Sequence, residues 1–171
     1  MDKVKNKILF VDDEKGLRDT FPLMINGVLR GSGDEERIRN QYGDVVLGNI
    51  KRIRESCADV EVITASDGAT ALEMMRAMKD EILLVVTDMR MPVENGPEIN
   101  GDQVAASARE LDIPVVIISG TVEQDVTAGI RALTRAVFQK PFRRAQVIQM
   151  AEIAAQEMER LQAEAGAKEE V

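Results

Sequence analysis

The sequence predicts an α/β fold, a doubly wound sheet of five parallel strands with helices on both faces. Three observations carry this expectation. Five short runs are rich in apolar and β-branched residues, and segments of helical period separate them. The runs are also apolar throughout instead of alternating, as suits strands buried on both faces of a parallel sheet. With 171 residues the chain is one domain, or one domain with appendages. That length buries about two-thirds of the unfolded surface.

The first strand is 7–11 (KILFV). A helix from about 16 to 30 follows, and Pro22 either kinks it or sits in its first turn. Gly31-Ser32-Gly33-Asp34 then breaks the chain. The stretch 35–56 places Ile38, Tyr42, Val45, Val46, Ile50 and Ile53 near one face, with Gly43 and Gly48 weakening the pattern. It reads as an extra helix inserted between the first helix and the second strand, 60–64 (VEVIT). Next come a helix over 69–78 (ATALEMMRAM), a strand over 83–87 (LLVVT) and a helix over 103–111. The fourth strand is 114–119 (PVVIIS), followed by a helix over 124–133 and the fifth strand, 136–139 (AVFQ).

The last helix runs from 144 to about 165, longer than a final α/β helix needs to be. Ala154, Met158, Leu161 and Ala165 recur in it at helical spacing. It reads either as a helix packed on its own domain with a fraying acidic end, or as a stalk or homodimer seam. The expected organisation is a domain over 1–143 containing a helical insertion at 31–58, with 144–171 as the extended tail.

The net charge of −8 argues against a nucleic-acid surface, which needs clustered Lys and Arg. Aromatic residues are only 3%, too few for base-stacking platforms. No stretch approaches the roughly 20 apolar residues of a membrane span, and the apolar run after the first lysines is too short for a secretory signal. The single Cys57 reads as a small buried residue on a helix. These features fit the cytoplasm. The chain has no histidine, which excludes His-ligated zinc, Ser-His or Cys-His nucleophiles and phosphohistidine. Phosphoryl chemistry, if present, falls to acidic side chains.

Four strand ends carry candidates for that chemistry. Asp12-Asp13-Glu14 ends the first strand, Asp88 the third, Ser119 the fourth and Lys140 the fifth. Open α/β sheets bind ligands at this end. Taken singly, each has an ordinary explanation: a helix cap, a turn hydroxyl, a solvated charge. Their joint placement is the signal. With strand order 2-1-3-4-5 the first and third strands are neighbours at the switch point, so Asp12, Asp13 and Asp88 converge. Carboxylates about 4 Å apart repel by several kcal/mol per pair at an effective dielectric near 20. Such a pocket calls for a cation or raised pKa values, and an open oxygen-only site favours Mg²⁺. Asp88 is then placed to attack a phosphoryl group, with Lys140 and Ser119 contacting its oxygens.

The segments 7–14 (KILFVDDE), 88–92 (DMRMP), 114–120 (PVVIISG) and 140–142 (KPF) resemble, in order, the four signature segments of bacterial two-component response-regulator receiver domains. The match covers most of the chain apart from the insertion and the tail. Each motif is loose; the four together are specific. The resemblance implies a flavodoxin-like sheet of order 2-1-3-4-5. It implies Asp88 as the aspartyl-phosphate acceptor, Lys140 as the phosphate-contacting lysine and Ser119 as the switch hydroxyl, with Thr121 as its rival. It also implies that Asp13 and Asp88 bind Mg²⁺ directly, that Asp12 acts mainly through water, and that the backbone carbonyl of Arg90 completes the protein ligands. The Lys140–Pro141 bond is expected cis. The expected phosphodonor is a sensor histidine kinase or a histidine phosphotransfer protein, and an unidentified output partner is expected elsewhere. Such a protein is a phosphoacceptor switch that catalyses only its own phosphorylation and dephosphorylation.

There are departures. Val137 stands where the family carries an aromatic switch residue, and strand alternation turns the adjacent Phe138 to the opposite face. The loop 93–100 is long and shields the site or meets a partner. Gly96 and Gly101 compete for the glycine turn after Met91-Pro92, with Gly101 favoured because the helix starts just beyond it. Arg90 bears on how readily water reaches the phosphoryl group. Two rivals remain: an aspartyl phosphatase built on Asp12 and Glu14, and a phosphorylation-independent interaction module with a receiver fold.

Overall fold

Strand β1 (Lys7–Val11) lies between two parallel partners, β2 (Glu61–Ala65) and β3 (Ile82–Asp88). β4 (Val115–Ser119) follows β3, and β5 (Ala136–Gln139) closes the other edge, giving the order β2-β1-β3-β4-β5 expected from the sequence. These and all further details come from a computed structural model that describes residues 5–94 and 96–169, the last two by backbone alone. The bounds set at residues 1 and 171, and Asn95 in the loop 93–100, lie outside the described residues.

Alternation along the strands divides the interior into two cores. Ile8, Phe10, Val116, Ile118 and Phe138 face α1 (Lys15–Arg30), α2 (Glu35–Ser56) and α7 (Arg144–Glu169). Leu9, Val11, Val115, Ile117 and Val137 face α3 (Gly68–Ala77), α4 (Gly101–Glu110) and α6 (Ala128–Leu133). Val137 and Phe138 thus point to opposite faces, as their adjacency on a strand requires. Complete burial holds for the interior residues of β1, β3 and β4. The edges β2 and β5 are only half covered, so their apolar runs owe more to one face than to two.

α2 is the inserted helix, and it packs across α1 and α7 on the first face. Ile38, Leu47, Ile50 and Ile53 are its buried residues. Val45, expected on that face, is 80% exposed. The reason is Gly43, whose φ of 87° lies outside helical geometry and interrupts the helix, so the apolar phase restarts with Leu47. Arg52 then reaches Glu159 of α7 at 2.7 Å, and Ser56 donates to the same carboxylate at 2.8 Å. Pro22 lies inside α1, beyond its first turn, and the helix runs through it. Cys57 is buried at the end of α2, and burial pushes its thiol up to about 11.

Asp34 ties the insertion down. It accepts from Arg54 at 3.0 Å and from Arg144 at 3.2 Å, joining the start of α2, its last turn and the start of α7. Burial pushes the Asp34 carboxyl up, but the two arginines more than offset this and hold it below the usual carboxylate range. Asp34→Asn is expected to lose about 1–2 kcal/mol at pH 7. Because the folded pKa is depressed, the wild-type advantage is complete above about pH 4 and vanishes as pH falls through the folded value. Urea unfolding of both proteins at pH 7 and pH 3 checks this; an equal gap at both values refutes it.

Two further helices differ from expectation. The segment 124–133 is not one helix but two, α5 (Val122–Asp125) and α6, because Val126 turns extended and buries into the second core. Thr127 then caps α6 by accepting from Ile130 N at 3.3 Å. α7 packs on its own domain through Ala154 and Met158, whereas Ala165, expected on the same face, is exposed. Among the described residues no helix is long and apolar enough to cross a membrane.

Candidate phosphoacceptor site

Hydrogen-bonded turns aim the acidic side chains. Asp12 follows β1, is fully buried, and accepts from Glu14 N at 2.9 Å, closing an Asx turn. Arg18, one turn into α1, donates to the carbonyls of Asp12 and Asp13, both at 2.7 Å, and so fixes the backbone between them. Asp88 ends β3, where Met89 N donates to its Oδ1 at 2.7 Å. Beneath the site Phe10 stacks on Phe21 at 4.1 Å, and Phe142 meets Phe21 edge-on at 5.9 Å. This packing fastens the segment after Lys140 to α1. The Lys140–Pro141 peptide is cis.

One carboxylate oxygen from each of Asp12, Asp13 and Asp88 lies within 4.8 Å of the others. Lys140 Nζ sits among them, 2.8 Å from Asp12 Oδ2 and 2.9 Å from Asp88 Oδ2, with Glu14 Oε1 at 3.6 Å. Burial pushes both the Asp12 and the Asp88 carboxyls above the usual range despite the lysine. Burial alone would depress Lys140, but its two carboxylate partners outweigh that and raise it. One ammonium therefore compensates a group of carboxylates that outnumbers it.

The donor set suits a hard divalent cation. Asp12 Oδ2 is buried and, apart from the ion pair with Lys140, has no aligned hydrogen-bond donor among the described residues. Asp13 is exposed, which leaves one side open for waters, and every donor is oxygen.

The backbone around Asp88 is tightly constrained. Gly101, the first residue of α4, donates to Met89 O at 2.9 Å. A Cβ on it would overlap the Asp88 carbonyl oxygen and lie 2.9 Å from Met89 Cα. Gly101 is therefore the close-approach glycine, while Gly96 only turns the loop at φ 112°. Asn100 pins the loop's base by accepting from Met91 N at 2.9 Å. Gly101→Ala is expected to cost about 1–3 kcal/mol and to weaken Mg²⁺ binding by displacing Asp88. Calorimetric titration with MgCl₂ checks the second effect; wild-type affinity would show that Asp88 had not moved.

Sequence reasoning brought Asp12, Asp13, Asp88 and Lys140 together, and the structure has them together. Ser119 is buried at the end of β4, but its hydroxyl donates to Asp125 at 2.9 Å and not to Asp88. Thr121 Oγ1 donates to the same oxygen at 2.5 Å. The Arg90 guanidinium also turns to Asp125, through Nε at 2.7 Å and through Nη2. The Thr121 hydroxyl, burial and Arg90 act on the Asp125 carboxyl in that order, and the donors prevail, holding it below the usual range. Asp125 and Arg18 were not anticipated. Arg18 lies on the helix that follows the acidic turn, and Asp125 stands four residues after Thr121, but neither spacing marks a role without the fold.

Comparison with known proteins bears on this arrangement. The family model described as the response regulator receiver domain matches residues 44–152. The chain belongs to that family. Receiver domains are phosphoacceptor switches of two-component phosphorelay signalling, not true enzymes. They bind Mg²⁺ at an acidic pocket and work with histidine kinases or phosphotransfer proteins and with output domains. In this receiver domain the matched span begins within α2, so β1 and its aspartates lie upstream of it. The receiver domain of NtrX from Brucella abortus is 25% identical, with a TM-score of 0.56, covering 87% of this chain and 98% of that one. The N-terminal domain of a response regulator/sensory box/GGDEF three-domain protein from Carboxydothermus hydrogenoformans is 23% identical, with a TM-score of 0.57 over 88% of this chain and 94% of its own. The CheX–CheY–BeF₃–Mg²⁺ complex from Borrelia burgdorferi aligns at 19% identity and a TM-score of 0.55, covering 85% and 86%. No curated protein matches the sequence.

Proposed function

We propose that this receiver domain accepts a phosphoryl group on Asp88 from a phosphohistidine of a sensor kinase or phosphotransfer protein. The observation that carries the proposal is the meeting of three strand ends, with Asp12, Asp13 and Asp88 within 4.8 Å and Lys140 bridging two of them. An Asp88 oxygen attacks phosphorus, the phosphorus–nitrogen bond breaks, and the donor imidazole leaves with the electron pair. Mg²⁺, when bound, supplies positive charge against the phosphoryl oxygens and the clustered carboxylates. Asp13 and Asp88 would hold it through their carboxylates, with Asp12 acting mainly through water and Arg90 supplying its backbone carbonyl. Lys140, released from Asp88 as that carboxylate is phosphorylated, pairs with the phosphoryl oxygens. Ser119 donates its hydroxyl to the same group and carries its loop along, shifting the balance between two arrangements of the β4–β5 face.

Residues 1–143 form the phosphorylated body with the insertion at 31–58, and 144–171 the tail, which couples two copies or leads toward an output partner. The phosphohistidine donor and the free Cys57 thiol fit a cytoplasmic setting. Incubation with acetyl phosphate and Mg²⁺, followed by intact mass, tests the proposal. One added phosphoryl group is expected, and size-exclusion chromatography of the product reports any dimer. A chain that stays unmodified and ignores beryllofluoride is instead an interaction module independent of phosphorylation, the alternative to which Val137 gives support.

A further inference from the structure

Three donors at the rim of the acidic pocket converge on a single carboxylate outside it. Ser119 and Thr121 both donate to Oδ2 of Asp125, and Arg90 to Oδ1. Ser119 leaves β4 and Arg90 leaves the end of β3, so both come from strands that border the phosphoacceptor. The Asp125 side chain is only 3% exposed, and the single turn of α5 holds it there through Asp125 N to Thr121 O at 2.9 Å.

A carboxylate and a phosphoryl group are both pure acceptors, and a serine hydroxyl has one proton to give. Ser119 therefore cannot donate to Asp125 and to a phosphoryl group at once. We infer that Asp125 is an internal competitor for the phosphoryl group: it holds the switch hydroxyl and Arg90 in the unphosphorylated arrangement and sets how hard the switch is to throw. The inference rests on Asp88 being the phosphoacceptor. Asp125 is a positioning residue, since it acts through Ser119, Thr121 and Arg90 and touches none of the reacting atoms. The long connection from β4 to α6 acquires a purpose in this scheme. The turn of α5 sets Asp125 four residues after Thr121, over the end of β4, and release of Asp125 frees α5 to move.

Titration of the full chain with beryllofluoride in excess Mg²⁺, read by calorimetry, tests this. Asp125→Ala is expected to bind the mimic about tenfold more tightly than wild type, the value of one charge-assisted hydrogen bond no longer broken. Asp125→Asn keeps the side-chain volume in α5 and is expected to move the same way by about threefold. In a Ser119→Ala/Thr121→Val background the gain from Asp125→Ala should fall to about twofold. A merely structural role for Asp125 would not produce that dependence. Wild-type binding with no tightening in either Asp125 variant, or an undiminished gain in the background lacking the hydroxyls, overturns the inference alone. Absence of binding in wild type overturns the phosphoacceptor assignment and this inference with it.

Discussion

Asp88→Asn is expected to abolish phosphoryl uptake from acetyl phosphate while leaving the protein folded. The two effects separate because the two oxygens of Asp88 do different things. Oδ1 accepts from Met89 N at 2.7 Å, and an asparagine oxygen takes over that bond without strain. Oδ2 faces Lys140 at 2.9 Å, and it is this oxygen whose charge and nucleophilicity are lost; the amide NH₂ that replaces it is a donor, so Lys140 turns to Asp12 and Glu14. Lys140 keeps Asp12 at 2.8 Å, so no ammonium is left stranded. Removing one of three crowded carboxylates also relieves repulsion, and the melting temperature is expected within a few degrees of wild type. Intact mass after incubation should show no added phosphoryl group, where wild type shows one. Asp13→Asn offers the contrast: its exposed carboxylate is assigned to Mg²⁺, so uptake should persist and demand more of the ion. Uptake by Asp88→Asn at the wild-type level would put the acceptor on another residue.

Lys140→Met should be the most destabilising single change at the site, and Mg²⁺ should repair much of it. The ammonium is the only cation facing Asp12 and Asp88 among the described residues' ion pairs, and Asp12 is fully buried. Methionine keeps the apolar length of the side chain and removes the charge. Breaking a buried pair by deleting one partner costs about 3 kcal/mol or more. At this chain length that lowers the melting temperature by on the order of 10 °C. Burial already raises the Asp12 and Asp88 pKa values, so the folded state binds protons more readily than the unfolded chain. The cost of that burial therefore appears as pH rises through the ordinary carboxylate value toward the folded one, and acidification relieves it. The deficit of Lys140→Met should accordingly be largest at neutral pH without metal, and smaller at pH 4. Added Mg²⁺ binds only the folded form and should raise the variant's melting temperature more than that of wild type. Scanning calorimetry of both proteins with and without MgCl₂ measures this. A variant that melts with wild type in metal-free buffer would mean that Lys140 is not what holds the carboxylates together.

What local pattern determines was legible from the residues alone. β1 and β5 were anticipated residue for residue because short apolar runs bounded by charged or turn residues have sharp edges. The strand ends then identified Asp12, Asp13, Asp88 and Lys140, since parallel strands deliver their carboxyl ends to one rim. Even the division of Val137 and Phe138 between faces follows from a period of two. The limits of α2 were legible as well, but not its buried face. Gly43 breaks the helical phase there, and only contact with α1 and α7 shows that Leu47 is buried and Val45 is not.

Side-chain partners across long separations depended on the fold. Helical period joins 124–133 into one helix, yet burying Val126 in the second core outweighs the continuity of a short exposed helix, and only the fold brings Asp125 to Ser119. Arg90 and Asp125 are 35 residues apart, and Arg52 and Glu159 are 107 apart. Periodicity describes how a residue relates to its neighbours along the chain, so it carries backbone form and the facing of each strand. Which donor meets which acceptor is decided by burial, because an enclosed charge takes whatever partner the packed elements bring within reach, however distant in sequence.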